Sequence, residues 1–360
     1  MRRYIAFAAL ACSLLSLSAQ EVSRVQVGDN QNYGITYNLP SVRLHVQASA
    51  VCTTFKAGIY AQYAEKYLGL TDVPLEDAET WTITHVSMTA EAVSDTARSY
   101  HILFNAKDAL PAFYLADGCL AGINKAPVFP PASEVVVPAP EPAAPELHAI
   151  NVMSEELLKA GSKSKQAEIA SRQIFRIRES RLNLLTGDVD NLPADGASFQ
   201  LVLDNLNAQE AAYMELFTGV STTRTVSREF SYRPDGEARI VLFRFSRHFG
   251  FVDADDLSGE PCQLQITITD DKRSVPVLLD AKGKAKPVAT GIAYTVPGRA
   301  HAELVCSGSI LSQGEWPMGQ FGHVELLPSG QFTNKKAPAS ALFDVMTGGI
   351  LQLSSDNSNQ

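Results

Sequence analysis

The chain has almost none of the motifs that mark a catalytic or nucleic-acid-binding sequence. No G-x-S-x-G nucleophile elbow, H-E-x-x-H zinc helix, G-x-G-x-x-G turn or Walker loop occurs in its 360 residues. No two cysteines have the C-x-x-C spacing of a redox motif or zinc knuckle, and the seven histidines (45, 85, 101, 148, 248, 301 and 323) are scattered without metal-ligand spacing. No cofactor and no metal ligand set is expected, although His85 and His101 could meet on neighbouring strands. There is no run of Lys or Arg, and acidic residues outnumber basic ones by 39 to 30. A chain of this charge is a poor fit to nucleic acid or to an anionic membrane surface. Long hydrophobic runs are missing too. The longest, Tyr4–Leu17, has 14 residues, short of the roughly 20 that a membrane-spanning helix needs.

That run reads instead as a signal peptide. Met1-Arg2-Arg3 is its basic head and Ser18-Ala19-Gln20 its small-residue cleavage site, with cleavage expected after Ala19. Cys12 loosely matches a lipoprotein box, but using it would leave a short apolar core and a greasy tether, so the reading keeps residues 1–19 as the leader. The exported chain would then hold 28 basic and 39 acidic residues, a net charge of −11, in a periplasmic or cell-surface location. Four cysteines would remain, Cys52, Cys119, Cys262 and Cys306. An even count in an oxidising compartment suggests two disulfides in one of three pairings.

Prolines 127, 130, 131, 138, 140, 142 and 145 crowd residues 126–148, which reads as an extended, semi-rigid linker. It divides a small mixed α/β domain (31–125) from a second domain (149–353), followed by a disordered tail (354–360). Disulfides that respect this division are Cys52–Cys119 and Cys262–Cys306. In the first domain, Ile35–Val46 has strand composition interrupted by Pro40, and Ala57–Leu68 has a wide apolar helical face capped by Gly69. In the second, Ser154 opens a short helix that breaks at Gly161-Ser162. Ala167, Ala170, Ile174 and Ile177 then mark a helix to about Leu185, and Ser198–Phe217 a second one. These two form an αα-hairpin.

Strands follow. Thr222–Ser231 and Glu237–Ser246 flank Pro234-Asp235-Gly236 and read as a β-hairpin. Others are expected at Cys262–Thr269, Val275–Leu279, Gly291–Val296, Ala302–Leu311, His323–Leu327, Leu342–Val345 and Ile350–Leu353. The fold class is α+β: the small α/β domain, then the helical hairpin joined to an antiparallel β-sandwich or partly open barrel.

Three segments carry candidate site residues. Trp316-Pro317-Met318-Gly319-Gln320-Phe321-Gly322 reads as a loop whose Trp316 and Phe321 could grip a sugar or partner, or tuck onto the sheet. Arg172, Arg176, Arg178 and Arg181 share one helix. They offer an anion site through Arg172 and Arg176, or else internal pairing with Glu168, Glu179, Glu210 and Glu215. Asp188, Asp190, Asn191 and Asp195 crowd one loop, but lack EF-hand spacing and suit turns and caps.

Several blocks resemble a known family. They are Tyr37-Asn38-Leu39-Pro40 with Lys56–Gly69, and Ile174–Arg181 with Leu185-Thr186-Gly187-Asp188 and Leu192–Gly196. Glu210, Tyr213 and Leu216–Gly219 continue the second block, and Phe243–Ser246 and Gln320–Gly322 complete the set. Together, over residues 33–350, they resemble the exported family called domain of unknown function 4831, typical of gut Bacteroidetes. The resemblance implies a Gram-negative, periplasm-facing or surface protein and carries no activity to any residue. The reading is therefore a non-enzymatic binding or assembly module of the cell envelope, its partner an envelope protein or glycan and its oligomeric state open. A hydrolase acting on polysaccharide or envelope material is the first alternative, because a pair of catalytic carboxylates leaves no sequence signature. A purely structural envelope component, marked by a self-complementary apolar patch, is the second.

Overall fold

The structure is a computed structural model. It describes residues 22–24, 34–103, 110–129, 153–189, 195–274, 291–334 and 338–354. The signal-peptide segment, most of the proline-rich stretch, the expected strand Val275–Leu279, Asp190 and Asn191, and the tail from 355 lie outside the described residues.

The element order is β1 (Val22–Arg24), β2 (Gly34–Lys56), α1 (Ala64–Leu68), β3 (Ala78–Leu103), β4 (Phe113–Ala116), β5 (Cys119–Ile123), α2 (Glu155–Lys159), α3 (Lys163–Thr186), α4 (Gly196–Thr218) and β6 (Val220–Tyr232). Then come β7 (Ala238–Ser246), β8 (Gly250–Val252), β9 (Glu260–Asp270), β10 (Ile292–Cys306), β11 (Ser309–Leu327), β12 (Ser340–Phe343) and β13 (Ile350–Ser354). Two sheets hold the strands. One has eight, ordered β1-β3-β2-β5-β12-β13 with β4 on β5 and β6 on β2; the other has five, ordered β11-β10-β9-β7-β8. The class is α+β, as the sequence implies.

The 23-residue strand β2 organises the larger sheet. Tyr37 and Leu39 point into one core cluster with Ile123, Phe332 and Phe343. Past Pro40 the buried positions become Val42, Leu44, Val46, Ala48, Ala50 and Cys52, which face the five-stranded sheet through Phe243, Leu264, Leu304 and Phe321. Pro40 has no N–H to give the ladder, and around it the side-chain phase changes from odd to even numbers. A one-residue change of phase exchanges the faces of a strand, so one strand serves two cores.

The expected division into domains 31–125 and 149–353 does not separate the sheets. β6, from the second region, pairs antiparallel with β2, from the first, over thirteen residues from Leu44↔Tyr232 to Lys56↔Val220. β12 likewise pairs with β5. Partner choice between strands this far apart in sequence has no local signature, whereas the proline-rich stretch between them does.

The expected hairpin at residues 222–246 is also corrected. β6 pairs with β2, whereas β7 pairs with β8 and β9, so the Pro234-Asp235-Gly236 turn carries the chain from one sheet to the other. Phe230 of β6 then stacks on Phe243 of β7 across the sandwich, ring centroids 4.5 Å apart. Gly291–Val296 and the start of Ala302–Leu311 belong to one strand, β10. The second segment is cut by a turn at Ser307 (φ 52°) and Gly308 (φ 78°), the left-handed pair that a two-residue hairpin requires. The expected helix at 57–68 is shorter, with one tight turn at Ala61–Tyr63 leading into α1 and ending at Gly69.

Cys262 and Cys306 are register partners on β9 and β10 and are disulfide-bonded. Cys52 and Cys119 are free and buried, which corrects the second expected bridge. Cys119 pairs with Asn38 near the start of β2. Cys52 lies fourteen residues further along that strand, roughly 45 Å of chain at about 3.3 Å per residue, so the two thiols sit on opposite stretches of the sheet.

Candidate functional site

The helical hairpin grows from strong local signals. Ser154 caps α2 by accepting from Leu157 N, and Ser162 caps α3 by accepting from Lys165 N at 3.3 Å. Asp195 caps α4 by accepting from Ser198 N at 2.7 Å, and that hydrogen bond holds its carboxyl below the usual range. Gly187 (φ 77°) closes α3 in the left-handed conformation. Ala167, Ala170, Ile174, Ile177 and Leu184 form the buried stripe of α3, and Tyr213, Leu216 and Phe217 that of α4. Both pack on Tyr60, Ala64 and Leu157.

Between the helices, Arg178 Nε donates to Glu210 Oε1 at 2.6 Å and Arg181 Nη1 to Glu210 Oε2 at 2.5 Å. Arg181 also reaches Asn207 Oδ1 at 2.9 Å. Burial pushes the Glu210 carboxyl upward, but the two guanidiniums together outweigh it and hold the group below its ordinary value. Internal pairing therefore accounts for three of the four arginines. Arg172 is exposed and reaches Glu168 one turn back, and Arg176 is exposed.

The opposite face of the hairpin is uncovered among the described residues. Phe175 is 51% exposed and Leu182 59% on α3, and Leu201 is 63% exposed on α4. Residues 172, 175, 179 and 182 recur at 3-4-3 spacing, roughly 100° or more round the helix from the buried stripe. On α4 the corresponding row is Leu201, Asp204, Ala208, Ala211 and Glu215, again at 3-4 spacing. A second apolar-and-charged row on a helix whose first row is already buried is the pattern of a helix with two packing partners. Arg172 and Arg176, the candidate anion-site residues, lie on this surface. Phe175 and Leu182 do not stand out in the sequence, because the stronger apolar phase of the buried stripe masks them.

The other candidates fall elsewhere. Trp316–Gly322 is not a loop but part of strand β11. Phe321 is fully buried in the inter-sheet core with Arg273 over its ring, and Trp316 packs half-buried against the same core. Gly319 and Gly322 serve close approach. A Cβ on Gly322 would lie 2.0 Å from Val296 O, and one on Gly319 2.9 Å from Pro40 O. His85 and His101 lie on the same strand, β3, sixteen residues apart, and do not meet. His101 is buried against Thr36 Oγ1, 2.8 Å from its Nδ1, whereas His85 is exposed.

A polar clamp that no sequence motif announces joins the two sheets. Asp95, 6% exposed, accepts from Arg98 Nε at 3.2 Å and Arg233 Nη2 at 2.8 Å. Arg98 also donates to Gly319 O at 3.1 Å and to Pro40 O. It can do so because residues 96–98 bulge out of the β2–β3 ladder, re-aiming its side chain. Gln320 completes the clamp: its amide accepts from Val42 N at 2.9 Å and donates to Val42 O at 2.7 Å, standing in for a strand partner.

Two of the clefts among the described residues bear on the chemistry. One, about 330 Å³, is lined by Ser94, Asp117, Cys119 and Phe129 among others, and burial pushes the Cys119 thiol up. The other, about 430 Å³, is lined by Tyr294, Pro297, Asp344 and Ile350 among others. Each holds a single carboxyl, and that of Asp344 is occupied by Met346 N and Thr347 Oγ1 within its own turn. Among the described residues no group of three or more His, Cys, Asp or Glu could hold a metal ion, and no helix is long and apolar enough to cross a membrane.

The family model described as domain of unknown function (DUF4831) matches residues 33–351. No curated protein and no solved structure gives a significant match.

Proposed function

We propose, for a chain that belongs to the DUF4831 family and takes no activity from it, that the protein is a non-enzymatic binding or assembly module of the cell envelope. Its working surface is the outer face of the α3–α4 hairpin. The observation that carries this reading is the exposed row through Phe175, Leu182 and Leu201. Large apolar side chains repeating along one uncovered helical face mark an interaction surface, and helix-face docking uses such i, i+3, i+7 anchors. The two sheets supply the rigid base, held by the Asp95–Arg98–Gln320 clamp and the Cys262–Cys306 bridge. The hydrolase alternative draws less support, because among the described residues neither of these two clefts brings together the two carboxyls that glycoside hydrolysis uses.

The test compares purified wild-type protein with Leu182→Glu. Wild type should retain an envelope-derived partner or a second copy of itself on an affinity matrix, and Leu182→Glu should lose at least tenfold in retention with an unchanged circular-dichroism spectrum. Both proteins should be inert towards glycan, peptide and ester panels. Turnover that disappears on changing a single Asp or Glu would replace this reading with the hydrolase.

A further inference from the structure

We infer that the hairpin face docks a second copy of this chain, two α3–α4 hairpins closing into an antiparallel four-helix bundle. This deepens the proposed function and rests on it. The two helices carry opposite charge. α3 carries six basic and two acidic residues, a net of +4, whereas α4 carries three acidic residues and no basic one, a net of −3. In a bundle of two such hairpins each helix has two neighbours. If α3 of one copy lies beside α4 of the other, every neighbour has the opposite sign and like signs fall on the diagonals. Stacking α3 on α3 would set basic helix against basic helix. The alternating arrangement is isologous, so one surface serves both copies and the assembly closes at two.

The two outer rows also match in height. Within one copy, Arg178 and Arg181 reach Glu210 and Asn207, which fixes the relative heights of the two helices. Closure about a two-fold axis parallel to the helices repeats those heights between copies. Phe175 then comes level with the gap between Ala211 and Glu215 of the second copy, Leu182 with the gap between Asp204 and Ala208, and Arg172 beside Glu215. Each large side chain of one helix faces a space beside an alanine of its new neighbour, as knobs entering holes do, and the charged residue at one end of the row meets its opposite. The contact row on α4, Leu201 to Glu215, is about 21 Å long at 1.5 Å per residue. Two such rows make an interface at the small end of the specific range, so the dimer should dissociate on dilution.

Sedimentation of the purified protein tests this. The expected result is twice the chain mass at about 50 μM, falling towards the chain mass on dilution into the low-micromolar range. Leu182→Glu should weaken association at least tenfold, and Leu257→Glu, at an exposed position on the β8–β9 connection, should not. Arg172→Glu should weaken the dimer, and Arg172→Glu with Glu215→Arg should recover part of it. A single-chain mass up to about 100 μM, or a dimer that Leu182→Glu leaves intact, would overturn the inference. So would an Arg172→Glu variant that associates more tightly, which is the mark of α3 against α3. A monomer that still captures a different partner through Leu182 sinks the second copy alone; a monomer whose capture ignores Leu182 sinks the proposed function with it.

Discussion

Ile174→Asp should unfold the helical hairpin. Ile174 is fully buried in the stripe that packs on Tyr60, Leu157 and Phe217. Truncating a buried Ile costs about 2–5 kcal/mol, and a carboxylate left there without a partner adds several more. The sum rivals the whole stability of a domain, about 5–15 kcal/mol. Phe175→Asp, one residue on, replaces a half-exposed ring on the outer face and should change stability by less than about 1 kcal/mol. The pair is read by urea titration of the far-ultraviolet signal. If Ile174→Asp melts with wild type, the helix is rotated and the outer face is misassigned. If Phe175→Asp is the one that unfolds, the two faces are exchanged.

The second large effect belongs to Asp95→Ala. This carboxylate is the common acceptor for Arg98 and Arg233, and burial already pushes the Arg98 guanidinium below its ordinary value. Removing the acceptor leaves a largely buried positive charge held only by the carbonyls of Pro40 and Gly319. Breaking a buried pair in this way costs about 3–5 kcal/mol. Arg233→Ala leaves Asp95 paired with Arg98 and removes a half-exposed partner, so it should cost about 1 kcal/mol or less. Denaturant midpoints should therefore fall far more for Asp95→Ala than for Arg233→Ala. Equal losses would mean that the clamp does not hold the sheets together.

What the sequence revealed and what it hid divide along physical lines. The hairpin was legible because helices declare themselves locally. Ser154, Ser162, Asp195, Gly187 and Gly219 are caps, and the 167–170–174–177 repeat is a period of 3.6. The sheets were not, because a turn signal specifies a change of direction and not a partner. Pro234-Asp235-Gly236 reads identically whether the next strand pairs back or crosses to another sheet. Ser307-Gly308 was a usable signal that the apolar run 302–311 masked. Pro317, Gly319 and Gly322 look like loop residues, yet two of them are glycines because β11 passes close to Pro40 and Val296. The site was half visible. Arg172 and Arg176 stood out as charges on one helix, whereas Phe175 and Leu182 were hidden by the stronger buried phase beside them.

The most direct test of the central claim asks whether the outer face is covered where the protein works. Glu179→Cys places a thiol in the middle of the α3 row, and Leu257→Cys places one at an exposed position on the β8–β9 connection, outside that row. Both would be labelled in intact producing cells with a maleimide, and again in dilute purified protein. The account predicts that Cys at 179 is protected at least tenfold in cells relative to dilute protein, and that the cysteine at 257 labels equally in both. Labelling at 179 that is as fast in cells as in dilute solution would show the face to be bare and would contradict the account.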